Sequence, residues 1–220
     1  METLTLTEQY YICAANSSGK LSSINSYGPA GAVAAGIMDL ALAGIIKISR
    51  SYAETETEEP MLPQYLSMLY RDIQNSRRGN LRKVMESYVM ALTNKKYGEY
   101  LDMLLKELEK KGAIRREKVS GLFGEKTRIT VNETVKSGLL ERLSSSFDGE
   151  CTAEEIGEDM MLLALFLKKT GVLRSCVDAG TYRKIASKLR EGRKLPKNKE
   201  AFELIDHVEE IWLLLLTAAT

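Results

Sequence analysis

The chain has little of what most enzymes and secreted proteins are built around. Its 220 residues include one histidine, one tryptophan, four prolines and three cysteines. His207 lies between Asp206 and Glu209 on a helical stretch, and nothing in its spacing brings it to Cys13, Cys151 or Cys176. A His/metal cluster or a Cys/His dyad is therefore not expected, and His207 is read as an ordinary surface or half-buried residue. The cysteines are odd in number and show no CxxC spacing, so they are expected to be reduced, intracellular thiols buried as small hydrophobes. A formal net charge of +1 excludes a global attraction to nucleic acid or anionic lipid and leaves only local patches. No GxSxG, HExxH or GxGxxG appears in its proper context. No catalytic residue, metal or cofactor is expected, and the chain reads as a non-enzyme. Met1-Glu2-Thr3 carries neither a basic nor an apolar leader region, so no secretory signal is expected.

Long hydrophobic runs are also scarce. The longest, Gly28 to Ile48, is interrupted by Asp39, which costs about 2.5–3.5 kcal/mol at a bilayer centre. Pro29 suits a first helical turn and Gly44 a C-terminal stop, giving a helix of about 14 residues, too short to span. The Trp212–Leu216 run is shorter still. With 44% hydrophobic and 28% charged residues, the composition is that of a soluble globular protein, read as a single domain over residues 1–220.

What is present is mostly helical pattern. Thr5-Leu6-Thr7-Glu8 is a capping box, predicting a helix from Leu6 to about Asn16. Asn16–Gly19 is a turn, Leu21–Ile24 a short strand or loop, and Ile45-Ile46-Lys47-Ile48 is β-like after the small-residue helix. The acidic stretch Glu54–Glu59, with Pro60 and Pro63, is expected as a solvated loop. Leu62, Leu66, Leu69 and Ile73 share one helical face, as do Leu81, Val84, Met85, Tyr88 and Val89, with a break at Asn75–Gly79. A helix through Tyr97, Leu101, Leu104 and Leu108 stops at Gly112. Ala113–Glu117 and Lys126–Val131 are predicted to pair as a hairpin about Gly121–Gly124. Asn132 caps a helix with Val135, Leu139 and Leu143 inward. Thr152-Ala153-Glu154-Glu155 predicts a second capping box opening a helix through Lys169, followed by helices over Tyr182–Leu189 and Glu200–Ala218. Residues 30–43, Met160–Leu167 and 211–218 are apolar nearly all round, so they must be enclosed by the one-sided helices. The fold class is therefore mainly α: a central apolar helical bundle wrapped by amphipathic helices, with one protruding β-hairpin.

Candidate binding features are local. Gly121 to Thr127 imitates a phosphate loop but lacks the adjacent Gly-Lys pair, and is read as the hairpin tip. Glu154, Glu155, Glu158 and Asp159 are read as helix-start acids that complement the dipole. Basic residues cluster at Arg77, Arg78, Arg82 and Lys83; at Lys188, Arg190, Arg193, Lys194, Lys197 and Lys199; at Arg115, Arg116 and Lys118; and at Lys95 and Lys96. Each contributes about 1 kcal/mol near an anionic leaflet, so a cluster can hold a protein reversibly. Leu122 and Phe123 form an apolar tip, expected to meet a partner subunit or a membrane.

In order along the chain, Leu4–Glu8, Gly19-Lys20-Leu21, Met38–Ile46, Leu108–Ile114, Leu162–Leu165 and Ile211–Thr220 resemble the Golgi phosphoprotein 3 family. The resemblance implies a mainly helical fold with a hairpin used in self-association. It also implies a cytoplasmic, peripheral membrane protein that binds phosphatidylinositol 4-phosphate or another anionic phospholipid and, in eukaryotic members, retains Golgi glycosyltransferases. The family's headgroup site resembles a Trp before the small-residue helix, an Arg within it, and two Arg on the helix ending at Lys-Gly. Here those positions hold Ile24, Val33, Gly98 and Leu101, which marks a divergent or prokaryotic relative. Lys20, Lys95 and Lys96 are the candidate substitutes for headgroup binding, and Leu122 and Phe123 the candidate oligomer or membrane contact. The alternatives are a soluble interaction scaffold without a lipid site, or a winged-helix-like DNA binder using helix 132–145. The near-cancelling Glu133, Lys136, Glu141 and Arg142 argue against nucleic acid.

Overall fold

A computed structural model describes residues 3–21, 27–55, 61–90, 93–121, 124–149 and 151–218. Helix α1 (Leu6–Ala14) starts where its capping box places it. Thr5 Oγ1 accepts from Glu8 N at 3.2 Å while Glu8 Oε2 accepts from Thr5 N at 2.9 Å. Helix α2 (Tyr27–Leu42) ends in a paired turn: Gly44 N donates to Ala41 O and Ile45 N to Leu40 O, with Gly44 at φ +71°. That 6→1 and 5→2 pattern needs a residue with φ > 0, which glycine supplies without a Cβ penalty. Every residue of α2 from Ala30 to Met38 is buried, as its all-round apolar sequence requires.

Strands β1 (Ile46–Ser49) and β2 (Tyr52–Thr55) form a tight antiparallel hairpin in the register Ile46↔Thr55. The acidic stretch was expected as a loop from Glu54, yet Glu54 and Thr55 belong to β2. Ala53, buried beneath the adjoining turn, anchors that strand, and its neighbours carry too little hydrophobic alternation to announce it. The rest of that stretch, 56–60, lies outside the described residues.

Amphipathic helices α3 (Gln64–Asn75), α4 (Leu81–Val89) and α5 (Lys95–Lys110) cover one side of α2. A ladder of edge-on aromatic rings joins them: Tyr100 meets Tyr65 at 5.8 Å and Tyr88 at 5.5 Å, and its hydroxyl donates to Ala32 O. Strands β3 (Ile114–Gly121) and β4 (Gly124–Val131) make the longer hairpin, extending further toward the tip than the sequence pattern marks. Helix α6 (Glu133–Ser146) follows, capped by Asn132 Oδ1.

The expected second capping box is corrected. Thr152 and Glu155 do bond to each other, but they close a turn, and α7 runs from Glu158 to Lys169. Gly157 is extended (φ −60°, ψ 142°) with Ala153 and Ile156 buried before it, so the chain docks once before the helix begins. Glu158 and Asp159 occupy the first turn of α7, whereas Glu154 and Glu155 precede it. Met160 to Leu167 are all buried, so α7 is the second central helix. Helices α8 (Leu173–Cys176), α9 (Ala179–Gly192) and α10 (Lys199–Ala218) close the far side. On α10, Ile211 is buried but Leu213 is 43% exposed, so the expected all-round burial of 211–218 fails at Leu213. The architecture is mainly α, with ten α-helices and two short antiparallel hairpins among the described residues. No described helix is long and apolar enough to cross a membrane.

Candidate functional site

The residues expected at a headgroup site divide between core and surface. Val33 is fully buried in α2 and presents nothing to solvent. Gly98 is exposed, and a Cβ placed there meets nothing within 4 Å; Leu101 is half-buried. Ile24 lies outside the described residues. Beside this end of α5, Tyr10 and Tyr11 of α1 face Tyr97, and burial pushes all three phenols up in pKa. Tyr10 Oη donates to Gly28 O and Tyr11 Oη to Gly19 O, while Tyr97 Oη is buried without a partner.

The three candidate lysines do not act together. Lys20 is exposed in the turn after α1, where Gly19 packs against Ile129 of β4. Lys95 is exposed at the start of α5. Lys96 is committed to the fold: its ammonium pairs with Asp72 at 3.0 Å, donates to Ser87 Oγ at 2.8 Å, and lies 4.6 Å from the Tyr88 ring centre. Leu122 and Phe123 lie outside the described residues.

The other basic clusters separate by what their charges touch. Around α9 and α10, Arg193 pairs with Asp206, Lys188 with Glu191 and Lys199 with Glu203, and Lys197 donates to Glu154 O. At the base of β3, Arg115 pairs with Glu117, and Arg116 with Asp102 and Glu109. On α6, Arg142 is paired with Asp159, and Lys136 donates to Ala15 O at 3.1 Å.

The cluster after α3 is different. Arg82 is paired with Glu86, but Arg77, Arg78 and Lys83 carry no ion pair among the described residues. With Tyr52 and Asn80 they line a concavity of 210 Å³ whose side chains all offer hydrogen-bond donors. The floor is the short 3₁₀ turn Arg77–Gly79. Gly79, at φ +63°, lies so close to β2 that a Cβ would come within 1.8 Å of Ala53 O. Asn80 Oδ1 accepts from Lys83 N and so caps α4, leaving its amide nitrogen to the concavity. Leu81 N donates to Ser51 O, and Asn80 bridges Tyr52, which ties the β1–β2 turn to the 3₁₀ turn.

Two residues other than glycine have positive φ among those described, Arg50 (φ 55°) and Arg78 (φ 59°). Both are arginines, one in each of these joined turns. Left-handed backbone at a long side chain costs on the order of 1 kcal/mol and persists only where the surroundings impose it. An adjoining concavity of 580 Å³ shares Tyr52 and Arg78 and is lined also by Glu54, Gln74 and Ser76. Ser76 Oγ is buried there without a partner.

A larger cavity of about 650 Å³ lies between α1, the end of α2, α6 and α7. Its floor is apolar (Leu6, Leu139, Leu162), and its charged groups are occupied. Asp39 accepts from Leu6 N and Thr7 N, and Arg142 is held by Asp159, which leaves Gln9 Oε1 as a buried polar atom without a partner. The capping role of Asp39 was missed in sequence, where a carboxylate within an apolar helix carried no signal of its partner 33 residues earlier.

The Golgi phosphoprotein 3 (GPP34) family pattern matches residues 6–209, nearly the whole chain, and the chain belongs to that family. No curated protein matches it significantly.

Proposed function

We propose that this Golgi phosphoprotein 3 family protein attaches peripherally to anionic phospholipid surfaces. We place the contact at the cationic concavity between the β1–β2 turn and the start of α4. The carrying observation is the convergence of charges: Arg77, Arg78 and Lys83 line one concavity with no ion pair among the described residues, whereas in the competing clusters Arg193, Lys188, Lys199, Arg115 and Arg116 are each paired with an acid. A surface cation already in a salt bridge must lose that partner before it binds a phosphate, while these three need only shed water. The family's usual headgroup positions, Val33, Gly98 and Leu101, supply no cation here, so attachment uses a different face. The role is binding rather than catalysis, at the cytoplasmic face of a membrane. Self-association through the tip of the β3–β4 hairpin, at Leu122 and Phe123, belongs to the same reading and is checked by mass photometry.

Liposome co-sedimentation tests it. Vesicles containing phosphatidylinositol 4-phosphate or phosphatidylglycerol should bind the protein and release it as salt rises, and neutral phosphatidylcholine vesicles should not. At about 1 kcal/mol per cation, Arg77→Ala/Arg78→Ala/Lys83→Ala should weaken binding by roughly two orders of magnitude. Lys20→Ala/Lys95→Ala should change it far less. Equal binding to neutral vesicles would remove the proposal, and binding to neither kind would put the soluble scaffold in its place.

A further inference from the structure

The cysteines are not the three equivalent buried thiols that the sequence suggests. Cys13, near the end of α1, is 4% exposed, whereas Cys151 and Cys176 are half-buried. Cys176, the last residue of α8, reaches back to α1. Its Sγ donates to Cys13 O at 3.6 Å, and the two thiols lie close enough to shift one another's titration. Lys136 of α6 lies near the pair with its ammonium held 3.1 Å from Ala15 O, and the adjacent Ser175 hydroxyl donates to Val172 O. One thiol is therefore accessible and near a cation, and the other is enclosed directly behind it.

We propose that Cys176 is a peroxide-reactive thiol and that Cys13 resolves its oxidation product, giving a reversible disulfide between α8 and α1. The contact with Cys13, with Ser175 and Lys136, lowers the Cys176 thiol to about 7, while the same contact and burial push Cys13 up. Deprotonation thus falls on the accessible sulfur, which is the arrangement of an attacking thiol with a protonated partner. The Cys176 thiolate attacks one peroxide oxygen, the O–O bond breaks, and the departing hydroxide takes a proton to become water. Cys176 is then a sulfenic acid. The Cys13 sulfur attacks the Cys176 sulfur, the S–O bond breaks, and the Cys13 proton leaves with that oxygen as a second water. One hydrogen peroxide is reduced, two thiols become one disulfide, and a dithiol reductant reverses the change. The site is separate from the cationic concavity and does not depend on lipid binding.

Cys151 is the internal control, because its sulfur contacts only the neighbouring Thr152 O at 3.4 Å. The full-length protein is titrated with hydrogen peroxide, quenched with N-ethylmaleimide and mapped by mass spectrometry without reduction. The expected result is a linked Cys13–Cys176 peptide, a mass loss of two hydrogens, Cys151 alkylated, and full reversal by dithiothreitol. At pH 7, Cys176 should also alkylate several-fold faster than an ordinary free cysteine, following its larger thiolate fraction. In Cys13→Ala, dimedone should trap a sulfenic acid on Cys176; in Cys176→Ala, Cys13 should stay reduced. Oxidation of Cys151 at the same peroxide concentration, or the absence of the linked peptide from the wild-type protein, would overturn the proposal. The second readout needs no variant to fold.

Discussion

Replacing Asp39 by Asn tests whether the start of α1 is held by the chain's own capping box or by a carboxylate from α2. Asp39 Oδ1 accepts from Leu6 N at 2.8 Å, and Oδ2 accepts from Thr7 N at 3.0 Å and from Thr7 Oγ1 at 2.5 Å. Three donors therefore converge on one carboxylate. An amide has one acceptor oxygen, so at least one backbone N–H of α1 would face an NH2 group. A hydrogen bond to a charged group contributes about 1.5–3 kcal/mol. Opposing this, burial holds the Asp39 carboxyl above its usual range in spite of its hydrogen bonds, so removing the charge recovers some desolvation cost. The net expectation at pH 7 is a loss of about 2 kcal/mol, or about 4–8 °C in Tm for a chain of this size.

The sign of the pH dependence follows from the raised pKa. Between the unfolded and folded values the native state binds the extra proton. The Asp39 contribution to stability therefore falls as pH rises through that window and is constant above it. Asp39→Asn lacks this component, so the wild-type stability curve should slope downward relative to the variant as pH rises from about 4, the unfolded carboxyl value. Urea unfolding at several pH values measures both. An Asn variant as stable as wild type at pH 7 would show that the capping box suffices and that the Asp39 bonds contribute nothing net.

Four further outcomes follow. Thr5→Ala, which breaks the local box and leaves the buried Tyr65 hydroxyl without this partner, should cost about 2–3 kcal/mol in urea unfolding. Gly79→Ala should cost more than about 2 kcal/mol, since it adds left-handed strain to a Cβ placed against Ala53 O, and it should weaken vesicle binding by disturbing the turn. Gly98→Ala lies in open space within α5 and should stabilise by about 0.5–1 kcal/mol without altering lipid binding. Gly98→Arg, at one of the family's cation positions, should add vesicle affinity that salt removes, read by co-sedimentation.

The elements legible in the sequence were those whose cause is local. The Thr5–Glu8 box, the Gly44 and Gly112 stops, Asn132 and the all-apolar Met160–Leu167 octet each carry their reason within a few residues. The features missed depend on distant partners. Strand β2 exists because Ala53 lies under Gly79, and Tyr52 bridges Asn80. The Thr152 box is geometrically present yet opens no helix, because Ala153 and Ile156 dock first. Gly157 then restarts the chain. The basic residues at 77–83 were visible as a cluster, but nothing local distinguished them from those at 188–199. Only the placement of Asp206, Glu191 and Glu203 shows that Arg193, Lys188 and Lys199 are paired, with Lys197 turned to the Glu154 carbonyl.

That difference bears on the proposed shift of the contact to a new face within the family's fold. At position 33 an arginine would have to lie where Val33 is now fully buried, beside Tyr100 bonded to Ala32 O. Burying a guanidinium there without a paired anion would cost several kcal/mol, so the present core cannot simply regain the charge. The turn at Arg77–Gly79 has the opposite economy. Its cations are already at the surface, their backbone is fixed by Gly79 against β2, and additional charge there need not be taken out of water. A protein of net charge +1 can therefore hold an anionic surface only by leaving a few cations unneutralised in one place. In this fold the concavity at Tyr52, Arg77, Arg78, Asn80 and Lys83 meets that condition.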